Sequence, residues 1–142
     1  MAGTRHELSG EGARLTIEPT GAVLGATVRG IDLARPLREP DLGRILLALG
    51  KHGVLRFPDQ HLDLGALKRF AEQFGKIQGG NREHDPTQEY PEIDILSNLK
   101  GNSKYIGIPD AGWDGHTDMT YREVPGFVNV LYGIRIPHRG FP

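Results

Sequence analysis

The apolar residues of this chain change period along its length, and that change limits the folds open to it. Leu42, Ile45, Leu46 and Leu49 fall at i, i+3, i+4 and i+7, which predicts a helix from Pro40. Glu39 and Asp41 suit the positive end of its dipole, and Gly50 or Gly53 would stop it. A second helix is expected after Asp63, a capping residue, with Leu64, Leu67, Phe70, Ala71 and Phe74 as its buried stripe and Gly75 as its end. Elsewhere the apolar runs are short and bounded by Gly and Pro. Residues 15–18, 25–29, 54–57 and 93–97 read as strands, with a further short strand near Tyr105. Residues 127–136 give the strongest strand pattern: Val128, Val130, Tyr132 and Ile134 share one face, and Phe127, Leu131 and Arg135 share the other. Helices first and strands with long loops afterwards predict an α+β fold with a β-rich core, formed as a single domain over residues 1–142.

Composition removes several classes of function. Seventeen Lys and Arg against eighteen Asp and Glu give a net charge of −1, so no large basic surface is available for nucleic acid. The chain has no cysteine, which excludes disulfides, thiolate zinc sites and a cysteine nucleophile. Any metal must therefore sit on His, Asp or Glu. Residues 1–12 mix charge, Gly and Ser without an apolar stretch; they are expected to be disordered, and a cytoplasmic protein without a membrane partner is expected.

Two segments carry the spacing His-x-Asp. In an extended segment residues i and i+2 project from one face, so His116 and Asp118 can reach one ion together. An imidazole and a carboxylate suit a borderline divalent metal such as Fe(II), and a second His would complete a facial triad with three open positions. His61 and Asp63 have the same spacing, but there Asp63 is placed to cap a helix and His61 to lie in an exposed turn. The alternative for His116 and Asp118 is a surface His beside a turn-forming Asp.

Four stretches, in order, extend this reading: residues 25–33 (GATVRGIDL) with Arg35, Pro36 and Leu37; residues 52–60 (HGVLRFPDQ); residues 70–75 (FAEQFG); and residues 116–121 (HTDMTY), leading to Leu131 and Tyr132. Together they resemble the taurine dioxygenase (TauD/TfdA) family of Fe(II)- and 2-oxoglutarate-dependent oxygenases. The resemblance implies a double-stranded β-helix, or jelly roll, with flanking helices, and assigns His116 and Asp118 as two iron ligands. It implies Fe(II) as cofactor, 2-oxoglutarate as co-substrate, and hydroxylation of a small organic substrate, of an anionic kind, by O2 with release of succinate and CO2. Asn98 and Tyr121 fall near the implied substrate pocket, and Arg82, with Asn81 and His84 close by, is a candidate for an anionic group. The structural alternatives are a turn Asn, a core Tyr and a solvated basic loop.

The sequence also departs from the family pattern. The family places its second iron His and its 2-oxoglutarate Arg far downstream, whereas the only His after Asp118 is His138, which reads as a surface residue. The terminal residues 139–142 replace an expected Gly-Gly-Asp-Thr run. Where taurine-specific members carry His and Asn, the matching positions are near Gly80 and Gly112, which argues against taurine as substrate. Asp114 and Gly115 separate Trp113 from His116, where many members have Trp directly before the iron His. The expectation is an incomplete barrel from a truncated or frameshifted frame, inactive alone and prone to form homo-oligomers across its unpaired edges. The alternatives are a metal- or ligand-binding β-domain without oxygen chemistry, and a structural remnant.

Overall fold

The computed structural model describes residues 14–78, 89–109 and 115–136. Residues 1–12, 82, 84, 113 and 138, on which several expectations rest, lie outside them. The chain divides into two compact units, Met1–His61 and Leu62–Pro142.

The first unit is built from β1 (Thr16–Pro19), β2 (Ala26–Arg29), α1 (Glu39–His52) and β3 (Leu55–Arg56). The β1–β2 turn follows from Thr20 and two glycines. The Thr20 hydroxyl donates to Leu24 O at 2.8 Å and accepts from Ala22 N at 3.3 Å, while Gly25 holds φ at 99°, a left-handed value that favours glycine. β1 and β2 pair antiparallel, with Thr16 opposite Arg29 and Ile17 opposite Val28. β2 pairs parallel with β3, Ala26 opposite Leu55, so α1 is the crossover that parallel neighbours require. β2 is the central strand of the three. Ala26, Thr27 and Val28 are all buried rather than alternating, the pattern of a strand covered on both faces.

Helix α1 starts as the sequence predicts, with Pro40 in its first turn, where a missing N–H costs nothing. Arg38 caps it without a side-chain bond, and the Arg38 Nε instead meets the Asp41 carboxylate at 2.7 Å, which makes the burial of Asp41 tolerable. Of the two stop signals, Gly53 is the one used: its φ is 70° and its N–H reaches Leu49 O at 2.8 Å. Ile45 and Ala48 face the core beside Leu15, Val28 and Leu33, while Arg44 donates to Leu15 O at 2.9 Å. After β3, Gln60 clasps two backbone segments. Its amide nitrogen donates to Ile31 O and Pro58 O, and its carbonyl accepts from Leu33 N at 2.9 Å.

The second unit begins with α2 (Leu64–Glu72). Asp63 is its N-cap, accepting from Ala66 N at 2.6 Å, as the sequence predicts. The stripe is corrected in detail. Phe70 is buried and meets Phe74 edge-on at 5.2 Å, but Leu64 is exposed and Ala66 takes the buried place one turn before Phe70. The helix ends at Glu72, and Gly75, with φ at 137°, closes a following turn rather than the helix itself.

Lys68 on α2 pairs with Glu92 at 2.5 Å, and this hydrogen bond raises the lysine pKa above its ordinary value. Tyr90 is raised as well, chiefly by its hydrogen bond with Glu89. Both groups therefore stabilise the fold fully below their ordinary values of about 10 to 10.5, and that contribution is lost as pH rises through the raised values. We expect the melting midpoint to fall above that range more steeply in the parent than in Lys68→Met, as read by circular dichroism at stepped pH. Parallel curves for the two proteins would count against it.

Beyond Tyr90 the strands are fewer than the sequence predicts. Where one short strand was expected near Tyr105, β4 (Lys100–Gly101) and β5 (Lys104–Tyr105) pair as a hairpin. Asn102 and Ser103 both have positive φ, the requirement of a two-residue type I′ turn. Residues 93–97 make only an isolated bridge, Leu96 with Ile108, instead of a strand. Residues 127–136 form no strand either. Their alternation survives in burial, with Val128, Val130 and Tyr132 half-buried between exposed Phe127, Asn129 and Leu131, but Ile134 is 77% exposed. A strand is completed by a neighbouring ladder, and among the described residues no segment pairs with this one. It is held instead by side chains: the Tyr132 hydroxyl accepts from Leu62 N at 3.1 Å.

Candidate metal centre

The site is carried by a turn and by the run 127–136. Residues 115–117 are irregular, and the chain then turns at residues 118–121. Met119 has φ at 55°, and Arg122 N donates to Met119 O at 3.0 Å. The Thr117 and Thr120 hydroxyls meet at 3.2 Å across the base of the turn. This local geometry folds the two candidate ligands toward each other. His116 Nε2 lies 3.2 Å from Asp118 Oδ1, and the two side chains are 59% and 53% exposed.

That separation is a test of fit. Two ligands about 2.1 Å from a metal and at right angles to one another stand ~3.0 Å apart, close to the distance between these two atoms. A neutral imidazole and a carboxylate are also the donor types that such an ion takes. The pair therefore fits two adjacent positions of a divalent centre. Among the described residues no group of three His, Cys, Asp or Glu side chains gathers for a metal.

The second carboxylate oxygen is engaged from the other segment. Asn129 Nδ2 donates to Asp118 Oδ2 at 2.5 Å, a bond spanning eleven positions of sequence. Sequence reasoning passed over Asn129. The available signal was an amide in the middle of an apolar alternating run, on the face shared by Phe127 and Leu131.

The other described candidates, Asn98 and Tyr121, lie at the surface. Asn98 is exposed between the Leu96 bridge and β4. Tyr121 is 65% exposed, with the Arg122 guanidinium 5.9 Å from its ring centre, instead of lying in a core. Arg82, Asn81 and His84 lie outside the described residues, as does His138. Asp63 is occupied as the α2 cap and His61 is exposed, in keeping with the structural reading of that second His-x-Asp.

The family described as "Taurine catabolism dioxygenase TauD, TfdA family" matches residues 16–140. An (S)-phenoxypropionate/alpha-ketoglutarate dioxygenase of Delftia acidovorans is 34% identical over 123 residues, covering 78% of this chain and 38% of that protein. Pentalenolactone F synthase of Streptomyces arenae is 31% identical over 122 residues, covering 84% of this chain and 41% of that one. The chain thus spans about two fifths of the length of these curated relatives. Among solved structures, a candidate alpha-ketoglutarate-dependent taurine dioxygenase from Burkholderia xenovorans superposes with a TM-score of 0.53 at 28% identity, over 62% of this chain and 32% of that one.

Proposed function

The chain belongs to the TauD/TfdA dioxygenase family, and from that premise we propose that it provides the first two iron ligands, His116 and Asp118, of an Fe(II)- and 2-oxoglutarate-dependent dioxygenase domain. The observation that carries the reading is the convergence of Nε2 and Oδ1 at 3.2 Å, the spacing of two adjacent metal ligands. The jelly-roll architecture, with both units inside one domain, is part of the same proposal; a family match running through both units supports it.

Iron(II) with 2-oxoglutarate supplies the oxidising power for hydroxylation by O2, with release of succinate and CO2. The chain's own share is to hold and orient. His116 donates a neutral nitrogen, and Asp118 offsets one positive charge of the ion. Asn98, Tyr121 and Arg82 are the proposed substrate contacts, with Arg82 the group suited to an anion. A small organic acid is the proposed substrate class, supported by the phenoxypropionate relative. The relative named for a lactone leaves that class broader than aryloxyacids.

A polypeptide of residues 1–142, in which His116 and Asp118 are the proposed ligands, is expected to hold iron weakly and not to support turnover by itself. The direct test incubates the chain with Fe(II), 2-oxoglutarate, O2 and a panel of aryloxyalkanoic acids and measures succinate. No succinate above the metal-free control is expected. Succinate production that disappears in His116→Ala would overturn the inactivity of this chain while supporting the assignment of its iron ligand.

A further inference from the structure

We propose that Asn129 is a positioning residue of the metal centre, fixing which carboxylate oxygen of Asp118 is presented to a divalent cation. The inference rests on the reading of His116 and Asp118 as ligands and deepens it. A carboxylate has two equivalent oxygens and rotates, so a free Asp118 could offer either oxygen, or both at once. Here the two are made unequal. Oδ2 accepts from the Asn129 amide at 2.5 Å, and Oδ1 is the oxygen 3.2 Å from His116 Nε2. An ionised carboxylate only accepts, so the group facing it must be the NH2 end of the amide.

The chemistry of the donor matters as much as its position. An amide is neutral, so it orients the carboxylate without cancelling the charge that attracts the cation, as a Lys or Arg at the same place would. The bond also ties residues 127–136 to the ligand turn, and that run has no ladder among the described residues to locate it. Asn129 is exposed and sits between two exposed apolar residues, Phe127 and Leu131, so its polarity is not demanded by a buried core. Outer partners of ligating carboxylates typically change metal affinity about 10- to 100-fold when removed.

The test uses the full chain and Mn(II) alone, with free Mn(II) followed by electron paramagnetic resonance. Asn129→Leu is expected to weaken binding about 10-fold or more, with little change in melting midpoint, and Asn129→Gln, which keeps the amide donor, to recover most of the loss. The visible band of bound Co(II) is expected to change shape in Asn129→Leu as the carboxylate becomes free to bind through both oxygens. Equal Mn(II) affinity in Asn129→Leu and the parent would overturn the proposal and leave the ligand assignment standing. A Gln variant as weak as the Leu variant would also overturn it, whatever happens to the melting midpoint. Parent binding that is insensitive to His116→Ala would remove the ligand assignment, and this inference with it.

Discussion

Replacing His116 by Ala is expected to weaken divalent metal binding by about 100-fold or more, equivalent to ~2.8 kcal/mol at tenfold per 1.4 kcal/mol. With two protein donors at adjacent positions, the loss of one leaves a lone carboxylate, which holds a hydrated ion little better than solvent does. Asp118→Ala is expected to do the same, and Asp118→Asn to fall between, because the amide retains an oxygen donor but not the charge. Folding should be almost indifferent, within about 0.5 kcal/mol, since both side chains are more than half exposed. Isothermal titration with Mn(II) beside a thermal melt measures the two quantities on the same sample. A His116→Ala protein that binds with parental affinity would sink the assignment. A protein that loses metal only because it has unfolded would show in the melt.

The largest stability effect is expected from Ile45→Ala. Ile45 is 1% exposed and is one of the two largest fully buried side chains, with Val28, in a small core that also holds Leu15, Ala26, Leu33 and Ala48. Removing three carbons there takes away their transfer free energy and leaves a cavity that the rigid β2 and α1 backbones close poorly, for a loss of about 2–5 kcal/mol. That is a large part of the ~5–15 kcal/mol by which domains are stable. Leu47, two positions along the same helix but 78% exposed, provides the control, and Leu47→Ala should cost little. Urea titration of both variants decides the matter; a Leu47 loss equal to that of Ile45 would contradict the burial argument.

The elements legible in the sequence share one property: local patterns specify them. The 3.6-residue stripe located α1, and Asp63 located the start of α2, because capping and amphipathic burial act within a turn or two of chain. His116 and Asp118 meet through a turn at residues 118–121 rather than through the extended segment expected for them, because residues two apart need little intervening chain in order to meet. The errors lie where the outcome depends on distant chain. Leu64 is exposed and Ala66 buried because packing, not periodicity, sets which edge of a helical stripe is covered. Residues 93–97 keep one bridge where a strand was expected, because a pleated pattern records a tendency to pair without specifying a neighbour.

The metal pair shows both limits together. By itself the sequence determined that an imidazole and a carboxylate lie two positions apart, that Asp63 caps a helix while its neighbour His61 stays exposed, and that Val128, Val130 and Tyr132 share a face. Each is a consequence of covalent spacing and backbone period. Only the tertiary structure decided that Asn129 reaches Asp118 across eleven positions, making its two oxygens unequal, and that, among the described residues, 127–136 are tethered by side chains instead of a ladder. Those outcomes depend on which segments meet in space, and a one-dimensional pattern does not contain that information.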